Sequence, residues 1–234
     1  MTTIITTVGT SFIGGCMRNK MDFSQTEDVL FEQMMQVDRV QAFSAEMAST
    51  HSLMKQYPNA ASLHLLVSDT AEGYKIGALL QRYFETFVAT VSVHVIDGLN
   101  GSAPETFRQQ GLRNLVNVLL TILTEHDDCV LNATGGYKAQ VAFAGIVGQV
   151  FHIPVLYQFE GFDDVIQLPT MPLRLNTALF AKFEQTFQCV ASGQYVAEIP
   201  LELSEYIENI NGESKLTAIG LCLYEYAKMN ERGV

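Results

Sequence analysis

The chain has 234 residues, of which 48% are hydrophobic, and a formal charge of −11 at pH 7. This length and composition allow one substantial core and a small second unit. The negative charge argues against extended binding to DNA or RNA, which requires a basic surface. No stretch of about 18 apolar residues and no basic leader followed by an apolar run occurs, so we expect neither a membrane partner nor secretion. Four cysteines without C-x-x-C spacing favour buried thiols in a reducing, cytoplasmic compartment over disulfides or zinc ligands.

The predicted elements alternate between strands and helices. A β-branched strand at 2–8 runs into a small loop at 9–15, and the elements that follow are a helix at 26–56, a strand at 62–67, a helix at 72–87, a strand at 91–96, a helix at 104–123, a strand at 129–133, an apolar helix at 139–151 and strands at 154–159 and 165–168. This order predicts an α/β fold, a Rossmann-like and mainly parallel sheet with helices on both faces. Ligands of such sheets lie beyond the carboxyl ends of the strands.

The segment from Pro169 to Pro172 interrupts the pattern and reads as a linker. We therefore expect a Rossmann-like domain at 1–170 and a small helical C-terminal unit at 171–234. Helical patterns are predicted within that unit at 177–190, 203–210 and 221–229.

The clearest motif is Asn132 to Lys138, which closes one apolar strand and opens an apolar helix. Gly135 and Gly136 allow a tight turn close to a ligand, and the amides of the helix start together with the Lys138 ammonium favour an anion. Two alternatives stay open. The glycines can serve only a tight strand-to-helix connection, and Lys138 can be a solvated helix-start lysine.

A second small loop, Gly9-Thr10-Ser11, follows the first strand. It is not a P-loop, because Gly15 and Cys16 stand where that motif has lysine and a hydroxyl residue, and the chain has no G-x-G-x-x-G fingerprint. The loops at 68–73 and 98–102 also follow predicted strands. All four loops are therefore expected at one edge of the sheet.

The opening strand with Gly9-Thr10-Ser11, the turn at 68–73 and the motif at 132–138 resemble the CRISPR-associated Rossmann-fold (CARF) family over residues 1–170. The resemblance implies a homodimer that binds a cyclic oligoadenylate, taken here as cyclic tetra-adenylate. It further implies a metal-independent ring nuclease, in which 2′-OH attack gives linear di-adenylates with 2′,3′-cyclic phosphate ends and switches off type III CRISPR signalling. The alternative is a non-catalytic sensor that controls a partner or a missing effector domain. A third alternative is a transcription regulator that uses the C-terminal unit, which resembles the winged-helix-like or helical appendage of some members.

The resemblance assigns catalysis to Lys138 and Ser11, with no metal and no cofactor. The expected ligand-binding residues lie in the same strand-end loops: Gly9, Thr10, Phe12, Ser68, Asp69, Thr70, Gly98, Asn100, Asn132, Thr134, Gly135, Gly136 and Tyr137. Ser11 and Asp69 also fit helix caps. Structural roles are favoured for His64, His94 and His152, and a solvated position for Glu46.

Overall fold

A computed structural model describes residues 1–159, 162–171 and 173–231, although not the side chains of 230 and 231. Its elements in chain order are β1 (Thr2–Thr7), α1 (Ser11–Arg18), α2 (Glu27–Met35), a 3₁₀ turn (Val40–Ala42), α3 (Ala45–Gln56), β2 (Ala60–Ser68), α4 (Ala71–Phe84), β3 (Thr90–Ile96), α5 (Pro104–Thr106), a π-helical turn (Phe107–Gly111), α6 (Leu112–Glu125), β4 (Cys129–Asn132), α7 (Lys138–Val150), β5 (Val155–Tyr157), β6 (Ile166–Gln167), α8 (Thr177–Lys182), α9 (Glu184–Ala191), a 3₁₀ turn (Leu201–Leu203), β7 (Ile207–Ile210), β8 (Glu213–Leu216) and α10 (Ala218–Glu231).

The main sheet has six strands in the order β3-β2-β1-β4-β5-β6. Strands β1 to β5 pair in parallel, and the short β6 is antiparallel to β5. The predicted Rossmann-like α/β fold is thereby confirmed. The strand order reverses between β1 and β4, which creates a crevice at the carboxyl ends of these two neighbours.

Alternating side chains of the strands build two hydrophobic layers. Ile4 and Val130 pack on one face with α1 to α4, whereas Ile5 and Leu131 pack on the other face with α6, α7 and α10. This alternation follows from the two-residue period of a strand. Both faces of the sheet are therefore covered by helices, which explains the nearly continuous apolar runs of β1 and β4.

The predicted single helix at 26–56 is divided into α2, a 3₁₀ turn and α3. Ser44 starts α3 by accepting a hydrogen bond from the Met47 N–H at 3.2 Å. Just before it, Phe43 is buried against Phe12, with ring centroids 4.8 Å apart. The break turns α3 towards the crevice.

The C-terminal residues form a hydrophobic cluster of their own around Phe180 and Phe187, while α10 also packs on α6. The predicted helix at 203–210 is wrong, since this segment enters the β7–β8 hairpin. Asn211 and Gly212 both have positive φ (54° and 87°) and form its two-residue turn. Part of the expected linker, Pro172, and the last residues, 232–234, lie outside the described residues.

No helix in the described ranges is long and apolar enough to span a membrane.

Candidate functional site

The loops that follow β1 and β4 touch each other at the crevice. A Cβ atom added to Gly9 would lie 2.5 Å from the backbone nitrogen of Gly136, so only glycine allows this approach. The Thr7 hydroxyl donates to the carbonyl oxygen of Gly135 at 2.6 Å and ties the two loops together. The two predicted loops therefore form one surface.

Gly136 adopts φ +104°, a conformation that disfavours residues with a side chain. A Cβ atom there would also overlap Oε1 of Gln140. The buried Gln140 amide accepts from the Tyr137 N–H at 3.3 Å and donates to the carbonyl oxygen of Leu66 at 3.1 Å, which fixes the start of α7. The turn between β4 and α7 therefore requires glycine at position 136.

A cavity of about 500 Å³ lies over this surface. Its lining includes eight of the residues predicted from the sequence: Gly9, Thr10, Ser11, Ser68, Thr134, Gly135, Gly136 and Tyr137. The amides of Thr10, Ser11 and Gly136 have no acceptor among residues 1–159, 162–171 and 173–231. They are available to an anion at the starts of α1 and α7.

Glu46 lies at the base of the cavity, beneath both loops, rather than on the solvated face that the sequence predicted. Its side chain is fully buried. The carboxylate accepts the Gly9 N–H at 2.8 Å and a short hydrogen bond from the Ser11 hydroxyl. A Cβ atom at Gly135 would overlap the same carboxylate. Glu46 thus joins the two loops to α3.

Arg18, which the sequence analysis missed, is the cation in the lining of this cavity. It lies two helical turns after Ser11 on α1, and its guanidinium donates to the carbonyl oxygen of Phe43 at 2.8 Å. Residues seven apart lie on the same face of a helix, so the sequence spacing could have placed Arg18 beside Ser11. The predicted Lys138 begins α7 next to Tyr137 and is exposed, outside the lining of the cavity.

Two predicted ligand-binding residues are buried instead. Phe12 has no exposed surface and packs on Phe43 and Phe23, because α1 turns its apolar face into the core. Asn132 is also fully buried, so neither side chain reaches a ligand in the cavity.

Asn132 links β4 to α3. Its amide nitrogen donates to Ser49 Oγ at 2.8 Å and to Thr50 Oγ1 at 3.2 Å, while its oxygen accepts from the Thr134 hydroxyl at 2.7 Å. Thr134 in turn accepts the Gln158 N–H at 3.0 Å. This network holds the loop that carries the glycine pair.

The remaining predicted residues lie on the loops after β2 and β3. Thr70 caps α4 by accepting the Gly73 N–H at 3.0 Å, so the cap expected at Asp69 belongs to its neighbour. Asp69 instead accepts the Gly98 N–H at 3.2 Å. Thr70, Asp69, Gly98 and Asn100 are absent from the lining of the cavity over the glycine pair.

Tyr137 connects the site to the loop after β3. Its hydroxyl accepts the Gly101 N–H at 3.2 Å, and its ring meets Phe107 edge to face at 5.2 Å. The ring therefore forms a wall between the cavity and this loop.

An adjoining cavity of about 390 Å³ shares Ser11, Arg18 and Thr134 with the first. Phe159 and Phe162 line it, with exposed fractions of 54% and 50% and ring centroids 5.4 Å apart. Exposed aromatic rings beside an anion site are suited to stacking on nucleobases.

Three histidines, His64, His94 and His126, lie together on the sheet face under α6. His64 Nδ1 is 2.8 Å from His94 Nε2, and the His126 ring lies 5.2 Å from the His64 ring. Burial first, and then the neighbouring His94 and His126, lower the pKa of His64 to about 4. In the described part of the chain, no group of three or more His, Cys, Asp or Glu side chains could hold a metal ion.

A family model described as "CRISPR-associated protein (Cas_APE2256)" matches residues 41–171. This range covers more than half of the 234 residues and contains Glu46 and the loop after β4. The chain belongs to this CRISPR-associated family. The CRISPR-associated character predicted from the sequence is thereby confirmed. The matched range holds seven of the thirteen residues that line the cavity, whereas the loop after β1 and Arg18 precede it.

No curated protein matches the chain. Among the 23 matching chains of solved structures is Can2 from Sulfobacillus thermosulfidooxidans in complex with cyclic tetra-adenylate. The two chains are 11% identical, with a TM-score of 0.45 over 97% of the present chain. The present chain spans 64% of that chain.

Proposed function

We propose that this protein binds a cyclic oligoadenylate, cyclic tetra-adenylate, at a homodimer interface and cleaves it without a metal to linear di-adenylates that end in 2′,3′-cyclic phosphates. Such cleavage would switch off type III CRISPR signalling. One observation carries the proposal. The loops of Gly9 and Gly136 meet where the strand order reverses and form a cavity lined by amides that have no acceptor in the described part of the chain. The chain that carries this cavity is a member of a CRISPR-associated family.

The site can bind a phosphodiester without a surface of many cations. The free amides of Thr10 and Gly136 and the guanidinium of Arg18 line one cavity, which suffices for a small anion despite the charge of −11. The adjoining Phe159 and Phe162 rings supply stacking surfaces for adenine.

The proposed cleavage uses the ligand's own nucleophile. The ribose 2′ oxygen attacks the adjacent phosphorus in line with the departing 5′ oxygen, so the protein must align these atoms and stabilise charge on the phosphoryl oxygens. Ser11 lines the cavity and is the hydroxyl assigned to the 2′-OH. Lys138, which is exposed and outside the cavity lining of one chain, is the cation assigned to the phosphoryl group in the assembled dimer.

A dimer follows from the size and symmetry of the ligand. A cavity of about 500 Å³ is suited to one drug-sized ligand, whereas a ring of four nucleotides is larger. Two copies around a two-fold axis present equivalent cavities to equivalent halves of the ring. Residues 1–170 carry the cavity, and we assign a dimerising or ligand-covering role to 171–234.

The exposed face of α7 is the proposed two-fold contact. Ala142 and Ile146 are exposed there, and a Cβ atom added to Gly145 would meet nothing within 4 Å. By contrast, Gly148 packs against Val155 of the sheet, so only one of the two helix glycines faces outward. Pairing of α7 with its symmetry mate would bring both Lys138 side chains towards one ligand.

A non-catalytic sensor that controls a partner or a missing effector domain is the second candidate. The observation that favours it is the position of Lys138, which lies outside the cavity lining within one chain. Binding without cleavage would then be the whole activity.

Incubation of purified protein with cyclic tri-, tetra- and hexa-adenylate in EDTA, followed by chromatography, separates these candidates. We expect linear di-adenylate from the tetra-adenylate, and a rate reduced by about 10²-fold in Ser11→Ala. Ser192→Ala is the matched control, because Ser192 is exposed in the C-terminal unit. An intact ring that nevertheless binds would establish the sensor, and the absence of binding would contradict both candidates.

A further inference from the structure

The Ser11 hydroxyl is held from two sides by the start of α3. It donates to the Glu46 carboxylate and accepts the Ala45 N–H at 2.9 Å. A hydroxyl has one proton and two acceptor sites, so the proton and one acceptor site are already used. What remains on the Ser11 oxygen is a single acceptor site, which requires a donor from a ligand.

Glu46 determines the direction in which the Ser11 hydroxyl donates its hydrogen bond. Its carboxylate is fully buried, it accepts the Gly9 N–H at 2.8 Å, and none of the ion pairs within the described residues includes it. The Ser11 hydroxyl is the donor in its hydrogen bond to Glu46, so its proton points away from the cavity. The carboxylate oxygens act as acceptors here and therefore disfavour the oxygens of a phosphate directly beside Ser11.

The donor groups of the cavity have the opposite preference. The Gly136 amide, two residues before the start of α7, has no acceptor among the described residues, and the Arg18 guanidinium lines the same cavity. These groups only donate, which suits the oxygens of a phosphate. Within one cavity, a ribose hydroxyl therefore fits Ser11, and a phosphate fits the Gly136 amide and Arg18.

We propose that Glu46 is a positioning residue that holds Ser11 ready to accept the ligand's 2′-hydroxyl and receives the proton that Ser11 passes on. The proposal rests on the proposed function and specifies which groups of the cavity bind the ribose hydroxyl and which bind the phosphate. In the cleavage step, the 2′-OH proton moves to Ser11 as the Ser11 proton moves to Glu46. The 2′ oxygen forms its bond to phosphorus while the bond to the 5′ oxygen breaks. The 5′ oxygen takes a proton from water, and Glu46 returns its proton to the resulting hydroxide.

The first test compares Glu46→Gln with the wild type. Glutamine nearly preserves the shape but offers one acceptor and one donor where glutamate offers two acceptors. We expect single-turnover cleavage of cyclic tetra-adenylate to fall by about 10²-fold. Glu32→Gln, which makes the same change at an exposed position of α2, is the matched control and should behave as the wild type.

The second test measures binding and does not depend on cleavage. A cyclic tetra-adenylate without its 2′-hydroxyls lacks the donor that Ser11 requires, so wild-type affinity should fall by about tenfold relative to the natural ring. In Glu46→Gln, the amide donates to Ser11, whose proton then turns into the cavity, and the two rings should bind alike. Calorimetry measures all four affinities.

The outcomes separate the inference from the proposed function. A wild type that binds neither ring contradicts the proposed function and this inference with it. If the wild type binds the natural ring but does not distinguish it from the deoxy ring, the inference alone is overturned. The inference is also overturned if Glu46→Gln cleaves the natural ring at the wild-type rate. A purely structural role for Glu46 would instead lower the melting temperature and both affinities together.

Discussion

Replacement of Asn132 by alanine tests whether its buried network holds the site together. The side chain makes three short hydrogen bonds, to Ser49, Thr50 and Thr134. Each neutral bond contributes about 1 kcal/mol, and its loss also leaves buried hydroxyls unsatisfied. The sum predicts a loss of about 3 to 4 kcal/mol in the free energy of unfolding. For a chain of this size, the melting temperature should fall by about 6 to 16 °C.

Urea denaturation of Asn132→Ala followed by circular dichroism measures this loss. Asn117→Ala is the control, because Asn117 is exposed on α6, and its change should stay within about 0.5 kcal/mol. If Asn132→Ala loses less than about 1 kcal/mol, the network does not stabilise the crevice and the reasoning is refuted.

Three further predictions concern the histidines, the hairpin and the dimer. The pKa of His64 lies near 4 in the folded protein and near 6.5 when unperturbed, so the unfolded chain binds the extra proton between these values. The contribution of His64 to stability should therefore fall by up to about 3 kcal/mol as the pH drops through this window, and urea titrations of His64→Gln should show a smaller pH dependence than the wild type. Some dependence should persist, because burial also lowers the pKa of His51 and of His94. Gly212→Ala should lower the unfolding free energy by about 1 kcal/mol, since φ there is +87°; an unchanged denaturation midpoint would argue against the left-handed turn. Gly145→Arg should leave the subunit folded, because a side chain there meets open space, yet give a monomer by light scattering; an intact dimer would place the interface away from α7.

The strand-end loops were predictable because their signals are local. Runs of β-branched residues before Gly9 and apolar residues before Asn132 mark the strands, and the glycines mark the turns. Parallel strands place such turns at one edge of the sheet, so their position at that edge followed from the element order. The contact of Gly9 with Gly136 depends in addition on the pairing of β1 with β4.

Glu46 could not be found in this way, because it lies 37 residues from Gly9 along the chain. Its position depends on the break before Ser44, where the buried Phe43 overrides a continuous helical pattern. The β7–β8 hairpin, in contrast, carried a readable signal. Asn211-Gly212 between two segments of alternating apolar and polar residues is typical of a two-residue hairpin turn. The apolar spacing at 203–210 predicts a helix and masks this pattern.

Calorimetric titration of cyclic tetra-adenylate into the wild-type protein tests the central claim most directly. The shared cavity predicts saturable binding with one ring for every two chains, by a protein that is dimeric in light scattering. Absence of binding, or a monomer that takes one ring per chain at full affinity, would contradict it.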